Sequence, residues 1–130
     1  MTPEQAQTLR WFKWEEFHHP ELMDYAFTMF IDDVRTEYGF PLIATSDARL
    51  PEENCAATGS SSTSRHLVGQ AMDFKFPPTK NHLWQLVAAV MKCQRSAPIE
   101  LELVHGPTDS HIHIAWLQPG RASSLELALT

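Results

Sequence analysis

The feature that most constrains the fold of this chain is the stretch IELELVHGPTDSHIHIAW, residues 99–116. Apolar and polar residues alternate in both halves, and GPTD between them is a turn signal, so the stretch predicts a β-hairpin. With residues 107–108 as the loop, Glu102 faces His113 across the two strands. A shift by one residue would mix apolar and polar side chains on both faces, so the alternation itself supports this register.

The two faces of this predicted hairpin differ in chemistry. One face is apolar and suits a core; it carries Leu101, Leu103, Ile112, Ile114 and Trp116. The other face carries carboxylates and imidazoles side by side: Glu100, Glu102, His111 and His113. Buried polar groups cost free energy unless they are paired or bind something, so the second face indicates a functional site.

Two helices are predicted before the hairpin. Residues 20–38 carry apolar side chains at helical spacing, begin at Pro20, which suits a first turn, and are followed by Gly39 as a stop signal. Residues 80–95 repeat the pattern, with Thr79 as the N-cap. Both are interpreted as core helices.

Two short strands, 41–46 and 70–76, complete the predicted elements, and the tail after Trp116 carries little information. Between the strands lies a polar, turn-rich loop, residues 47–63. Loops of that length are usually functional or disordered, and this one leads directly into SRHLVGQAMDF, so we interpret it as an ordered functional loop. The predicted fold class is α+β: one domain over all 130 residues, with a small, mostly antiparallel sheet and helices packed on one side.

Composition excludes several classes of protein. The formal net charge of −6 and the scattered Lys and Arg residues argue against nucleic-acid binding. No apolar run approaches the roughly 20 residues of a membrane span, and the N-terminal stretch lacks the apolar centre of a secretory signal. The two cysteines, Cys55 and Cys93, are interpreted as free thiols.

His66, Asp73 and His113 offer the ligand types of a catalytic zinc ion, and three protein ligands leave a fourth position for water. Zinc lowers the pKa of that water toward about 7. A nearby carboxylate, for which Glu102 is the candidate, can take the proton and pass it to the leaving amine. From the residues alone, a metal site and a set of paired structural side chains both remain open.

Three motifs together resemble a known family: TSDAR at 45–49, SRHLVGQAMDF at 64–74 and HIHIAW at 111–116. They resemble the zinc D,D-carboxypeptidases and L-alanyl-D-glutamate endopeptidases of the M15 peptidase group, which share a fold with the hedgehog signalling domain. The group's central pattern, S-x-H-x-x-G-x-A-x-D, is matched in full by Ser64, His66, Gly69, Ala71 and Asp73. More loosely, the resemblance extends from WFKWEEF near the start to Trp116.

The resemblance implies a role for each matching residue. His66, Asp73 and His113 would be the ligands of a Zn²⁺ cofactor. Arg49 matches the arginine of the group's TSGYR element and would hold a substrate carboxylate or the developing oxyanion. Ser64 would orient the loop or the substrate.

Two departures from the group's pattern affect the expected catalytic residues. TSDAR has Asp-Ala where the group has Gly-Tyr, which changes the expected substrate pocket. The group's catalytic carboxylate lies a few residues before the last histidine, where this chain has residues 107–110. On strand geometry we predict Glu102 as the base, with Asp109 as the second candidate and with His111 assisting by a hydrogen bond to the transition state.

The predicted function is hydrolysis of amide bonds in peptidoglycan stem peptides by a zinc-dependent carboxypeptidase or endopeptidase of the phage or prophage lysis type. We expect such a protein in the host cytoplasm until its release to the wall, or on a virion with phage partner proteins. The acidic net charge fits an anionic cell wall poorly. One alternative is a non-catalytic virion or tail module that keeps the fold and the metal and binds a partner. Another is a hydrolase of a different amide.

Overall fold

The computed structural model describes residues 1–56, 64–95 and 97–129. It contains four α-helices in this part of the chain: α1 (Pro3–Ala6), α2 (Tyr25–Tyr38), α3 (Pro51–Ala56) and α4 (Lys80–Lys92). Its strands are β1 (Ala44–Ser46), β2 (Ala71–Lys75), β3 (Ile99–His105), β4 (Ser110–Trp116) and β5 (Ser124–Leu129). Short 3₁₀ turns lie at Trp14–Glu16, Pro20–Leu22 and Arg65–Val68.

The five strands form one sheet in the order β1-β2-β4-β3-β5. Neighbouring strands are antiparallel except β3 and β5, which are parallel. The α+β prediction with a mostly antiparallel sheet is therefore confirmed. The hairpin register is also as predicted: Glu102 pairs with His113, and the backbone N–H of Gly106 donates to the Asp109 carbonyl at 2.8 Å.

One face of the sheet packs against α2 and α4 and forms the core. Strand residues at alternate positions point into it, which is the arrangement expected of a sheet covered on one side. The largest fully buried side chains are Met23, Phe27, Phe30, Ile31, Val34, Met72, Phe74, Leu86, Val90, Leu103, Ile112 and Ile114. The opposite face is thereby left for the polar side chains of β2, β3 and β4.

The first long helix begins later than predicted. The sequence predicts one helix over 20–38, whereas Pro20–Leu22 is a separate 3₁₀ turn and α2 starts at Tyr25. The reason is the Asp24 side chain, which accepts a hydrogen bond from the Phe27 N–H at 2.9 Å and so caps the helix there. The predicted end at Gly39, with a left-handed φ of 80°, is confirmed.

The second long helix is shorter than predicted, since α4 ends at Lys92 rather than at residue 95. Its N-cap is as predicted: the Thr79 side chain accepts from the His82 N–H at 3.1 Å. The helical spacing places Met91 on the inner face with Leu83, Leu86 and Val90, but Met91 is 59% exposed and Ala89 is buried.

Two segments interpreted as irregular contain regular structure. Within the predicted loop 47–63, residues 51–56 form α3, while residues 57–63 lie outside the described residues. The tail was predicted to carry little information, yet residues 124–129 form β5 at the sheet edge. That pairing joins segments more than twenty residues apart, which a local pattern does not reveal.

Cys93 is a free, half-buried thiol, and the side chain of Cys55 lies outside the described part. Among the helices that the structure describes, none is long and apolar enough to cross a membrane.

Candidate metal centre

A row of polar side chains crosses the open face of the sheet. Asp73 on β2 pairs with His113 on β4, and His113 pairs with Glu102 on β3. The row extends to Ser46 on β1 and to Glu126 on β5. Directly opposed residues share a face, with Cβ atoms roughly 5 Å apart, so the strand register alone brings these groups together.

The third candidate ligand, His66, reaches this row from the 3₁₀ turn just before β2. Ser64 precedes that turn, and its hydroxyl accepts a hydrogen bond from the His66 N–H at 3.3 Å. Gly69 ends the turn at a φ of +69°, and a Cβ there would lie 2.1 Å from the carbonyl oxygen of Leu22. Only glycine permits both this conformation and this close approach, which explains the glycine of HLVG.

Together, His66, Asp73 and His113 place one possible ligand atom each within 4.8 Å of one another. His66 Nε2 lies 3.4 Å from Asp73 Oδ1, and His113 Nδ1 lies 2.8 Å from the same oxygen. All three side chains are well buried, with 3%, 13% and 12% exposed. The structure thus brings together the three residues that the sequence predicts as ligands.

The orientation of His66 is fixed from behind by a residue that sequence reasoning did not assign to the site. His66 Nδ1 lies 2.7 Å from the backbone carbonyl of Asp47. Since a carbonyl only accepts, Nδ1 donates to it, and Nε2, which faces Asp73, is the ring nitrogen left to bind a metal. A metal-binding histidine typically has such a second hydrogen bond.

The side chain of Asp47 anchors this arrangement. Asp47 is 2% exposed, and its carboxylate accepts from the backbone N–H groups of His18 and His19 at 2.9 and 3.2 Å. Its position in TSDAR, where the related group has glycine, was the available signal. The structure shows Asp47 as a buried anchor, and a changed substrate pocket at this departure stays a prediction.

Arg49, predicted to bind substrate, lies beside the ligand set. Its guanidinium is 3.4 Å from Asp73 Oδ2 and 3.3 Å from the Ser46 hydroxyl. Its backbone N–H donates to the His66 carbonyl at 2.9 Å. The side chain is 19% exposed, so it is held in place and still reaches the open face.

The His113 imidazole lies between two carboxylates. Its Nδ1 contacts Asp73, and its Nε2 contacts Glu100 Oε1 at 2.8 Å. Burial lowers the pKa of His113, but the hydrogen bonds that its ring donates to Asp73 and Glu100 outweigh that effect and raise it to about 9. Burial likewise works against ionised Asp73, yet its bonds to His113 and His66 hold that pKa well below its usual range.

Glu102, the predicted base, lies directly across the strands from His113. Burial raises the pKa of its carboxyl; His113 opposes the rise, while Glu100 and Glu126 add to it. The pKa of Glu100 moves the other way, because the hydrogen bond from His113 outweighs its burial. Two adjacent carboxylates on one strand therefore differ in proton affinity.

The remaining predicted residues lie toward the hairpin end. His111 shares the open face with His113 and contacts Asp109 through Nδ1 at 2.9 Å. The Asp109 side chain is 66% exposed. The Asp109 carboxylate therefore lies beside His111 and largely in solvent, whereas Glu102 lies opposite the candidate ligand His113, which favours Glu102 as the base.

The donor set fits zinc. Two imidazoles and a carboxylate are common zinc ligands, and bonds of about 2.0–2.1 Å place tetrahedral ligand atoms roughly 3.3 Å apart. The 3.4 Å between His66 Nε2 and Asp73 Oδ1 matches that spacing. His66, Asp73 and His113 would hold the ion.

Two imidazoles and a carboxylate with acidic groups beside them are the donor types found in metallohydrolase centres. The family model described as Peptidase M15 matches residues 6–115 of the chain. The chain therefore belongs to the M15 peptidase family, which supports a zinc peptidase role in general. A comparison with curated proteins finds no match.

Proposed function

We propose that this protein is a zinc-dependent peptidase that hydrolyses amide bonds in peptidoglycan stem peptides. The observation that carries the proposal is the convergence of His66, Asp73 and His113 from a turn and two strands, which brings their possible ligand atoms within 4.8 Å of one another. Membership of the M15 family supports the peptidase class. The substrate class rests on the resemblance of SRHLVGQAMDF to the cell-wall peptidases of that group.

Zinc, when bound, supplies a water nucleophile at neutral pH and polarises the scissile carbonyl. Glu102 supplies the proton transfer. Its carboxylate accepts a proton from the attacking water and delivers it to the leaving amine nitrogen. The raised pKa of Glu102 suits this task, because a carboxyl that binds a proton more tightly is a better base and remains able to return it.

Arg49 recognises the anionic part of the reacting peptide. Its guanidinium already contacts a carboxylate oxygen of Asp73, and its forked donors can bind a substrate carboxylate or the developing oxyanion. Stem peptides carry such carboxylates. His111, on the same open face, adds a polar contact at the hairpin end of the site.

The proposed biological setting is lysis by a phage or prophage. The protein would act on the wall after release from the host cytoplasm, or as part of a virion with partner proteins. This setting rests on the resemblance to phage-type cell-wall peptidases.

The experiment that tests the proposal has two stages. Metal analysis of purified protein should find about one zinc per chain, and mass spectrometry of digested peptidoglycan should show cleaved stem peptides. Glu102→Gln should keep zinc and lower the rate by at least about 100-fold. Glu15→Gln, which alters an exposed carboxylate, should leave both unchanged.

The outcomes separate the candidate functions. Protein that stays metal-free when offered zinc contradicts the proposal. Zinc binding without cleavage of any wall peptide favours the non-catalytic module. Full activity in Glu102→Gln removes Glu102 from the mechanism and leaves the metal site intact.

A further inference from the structure

Glu100 contacts His113 although it is not the residue directly opposite it. In the strand register Glu100 pairs with Ala115, whereas Glu102 pairs with His113. The Glu100 side chain, 30% exposed, crosses diagonally, and its Oε1 lies 2.8 Å from His113 Nε2. Diagonal neighbours on a sheet face lie within reach of a long side chain.

This contact fixes which ring nitrogen of His113 is available to a metal. An ionised carboxylate only accepts hydrogen bonds, so Nε2 must donate to Glu100. The lone pair that a neutral ring then offers is on Nδ1. That nitrogen faces Asp73 Oδ1 at 2.8 Å, on the side where His66 Nε2 also points.

An alternative use of the same groups competes with this hydrogen bond. Glu100, Glu102 and His113 also place possible ligand atoms within 4.8 Å of one another. A cation held there would bind Nε2 of His113, and one nitrogen cannot both donate to Glu100 and ligate a metal. The two arrangements are mutually exclusive and differ in the nitrogen that carries the proton.

We propose that Glu100 is a positioning residue that holds the Nε2–H of His113, so that Nδ1 joins His66 Nε2 and Asp73 in binding the metal. This inference rests on the proposed zinc function and deepens it. It gives the two carboxylates on β3 different roles: Glu100 orients the ligand His113, and Glu102 transfers the proton from the attacking water to the leaving amine. Partners of this kind typically change metal affinity by 10- to 100-fold when removed.

The test compares three variants with the wild type. Glu100→Ala removes the acceptor, and Glu100→Gln replaces it with a weaker, neutral one. Glu126→Gln is the matched control, because it removes one negative charge from β5, the strand beside β3. Zinc affinity is measured by chelator competition, and long-range ¹H–¹⁵N NMR of the imidazoles identifies the metal-bound and the protonated nitrogen of His113. Circular dichroism verifies folding.

The expected order of zinc affinity is wild type, then Glu100→Gln, then Glu100→Ala, with a loss of 10- to 100-fold for the alanine variant and less than about threefold for Glu126→Gln. In zinc-bound wild type, Nδ1 should be metallated and Nε2 protonated. Metallation at Nε2, or equal affinities of Glu100→Ala and Glu126→Gln, overturns the inference. If the inference about Glu100 fails in this way while the wild-type protein binds zinc and cleaves peptides, the proposed function stands. If the wild-type protein binds no zinc, the inference and the proposed function both fail.

Discussion

His113 and Asp73 are bonded across β4 and β2, with Nδ1 of the imidazole 2.8 Å from Oδ1 of the carboxylate. Both atoms are candidate ligands, so a metal must enter where this hydrogen bond now lies. Metal binding therefore replaces a proton on Nδ1 with the ion. The metal-free protein stabilises its own ligands by pairing them, and that pairing competes with the metal.

The first prediction is that zinc affinity rises with pH up to about pH 9. The pKa of His113 in the metal-free protein is raised to about 9, so at lower pH binding must displace a proton. Displacement of one proton corresponds to about a tenfold gain in affinity per pH unit between 7 and 9. Chelator competition, corrected for chelator protonation, measures this slope. A zinc affinity that stays constant between pH 7 and 9 would contradict this prediction.

A second prediction concerns the stability of the metal-free protein. His113 has a raised pKa in the folded state. Its contribution to the free energy of unfolding is therefore full below about pH 6.5, the pKa of the unfolded chain, and is lost as the pH rises to about 9. Asp73 has a lowered pKa in the folded state. Its contribution to the free energy of unfolding is therefore present above about pH 3.9, the pKa of the unfolded chain, and is lost as the pH falls below that value. Urea unfolding should therefore show a loss on the order of 1–3 kcal/mol between pH 6.5 and 9.

The variant His113→Gln provides the control for that pH dependence. Because it removes the titrating imidazole, the loss between pH 6.5 and 9 should largely disappear. An unchanged slope would assign the effect to other groups.

A third prediction follows from the turn that carries His66. Gly69→Ala forces a Cβ to within 2.1 Å of the Leu22 carbonyl oxygen at a left-handed φ, so it should cost more than about 4 kcal/mol or prevent folding. Gly39→Ala is the matched control, with a φ of +80° and no atom within 4 Å of the added Cβ. It should cost only about 1 kcal/mol and leave zinc affinity unchanged. Equal costs would show that the close approach does not matter.

A fourth prediction concerns the anchor behind His66. Asp47→Ala leaves the N–H groups of His18 and His19 without their acceptor, which should cost about 2–4 kcal/mol and weaken zinc binding. Asp33→Ala, which removes a partly exposed carboxylate paired with the exposed side chains of Arg10 and Arg95, should cost about 1 kcal/mol or less and leave zinc affinity unchanged. Chemical denaturation and zinc titration of both variants check this.

The local residue pattern was sufficient to predict the register of the hairpin and the two candidate ligands in the central motif. In residues 99–116 the alternation has period two and only one register keeps the faces separate, so Glu102 opposite His113 could be predicted. The S-x-H-x-x-G-x-A-x-D pattern identified His66 and Asp73, because a turn and a strand place them at fixed separation.

Contacts between distant segments were not predictable in the same way. The parallel pairing of β5 with β3 has no local signature, so Glu126 was missed. The predicted N-terminus of α2 was wrong because Pro20 also suits a 3₁₀ turn, and only the hydrogen bond that the Phe27 N–H donates to the Asp24 side chain shows where the helix begins.

The sequence by itself determined the sheet faces, the hairpin register and the identity of three candidate ligands, because these depend on side-chain period and short-range spacing. Only the tertiary structure decided how those ligands are oriented. The Asp47 carbonyl behind His66 and the Glu100 carboxylate behind His113 are a backbone group and a diagonal neighbour, and neither is specified by residue type or spacing. Hydrogen-bond direction depends on three-dimensional approach, so it emerges only when the strands and the turn are packed together.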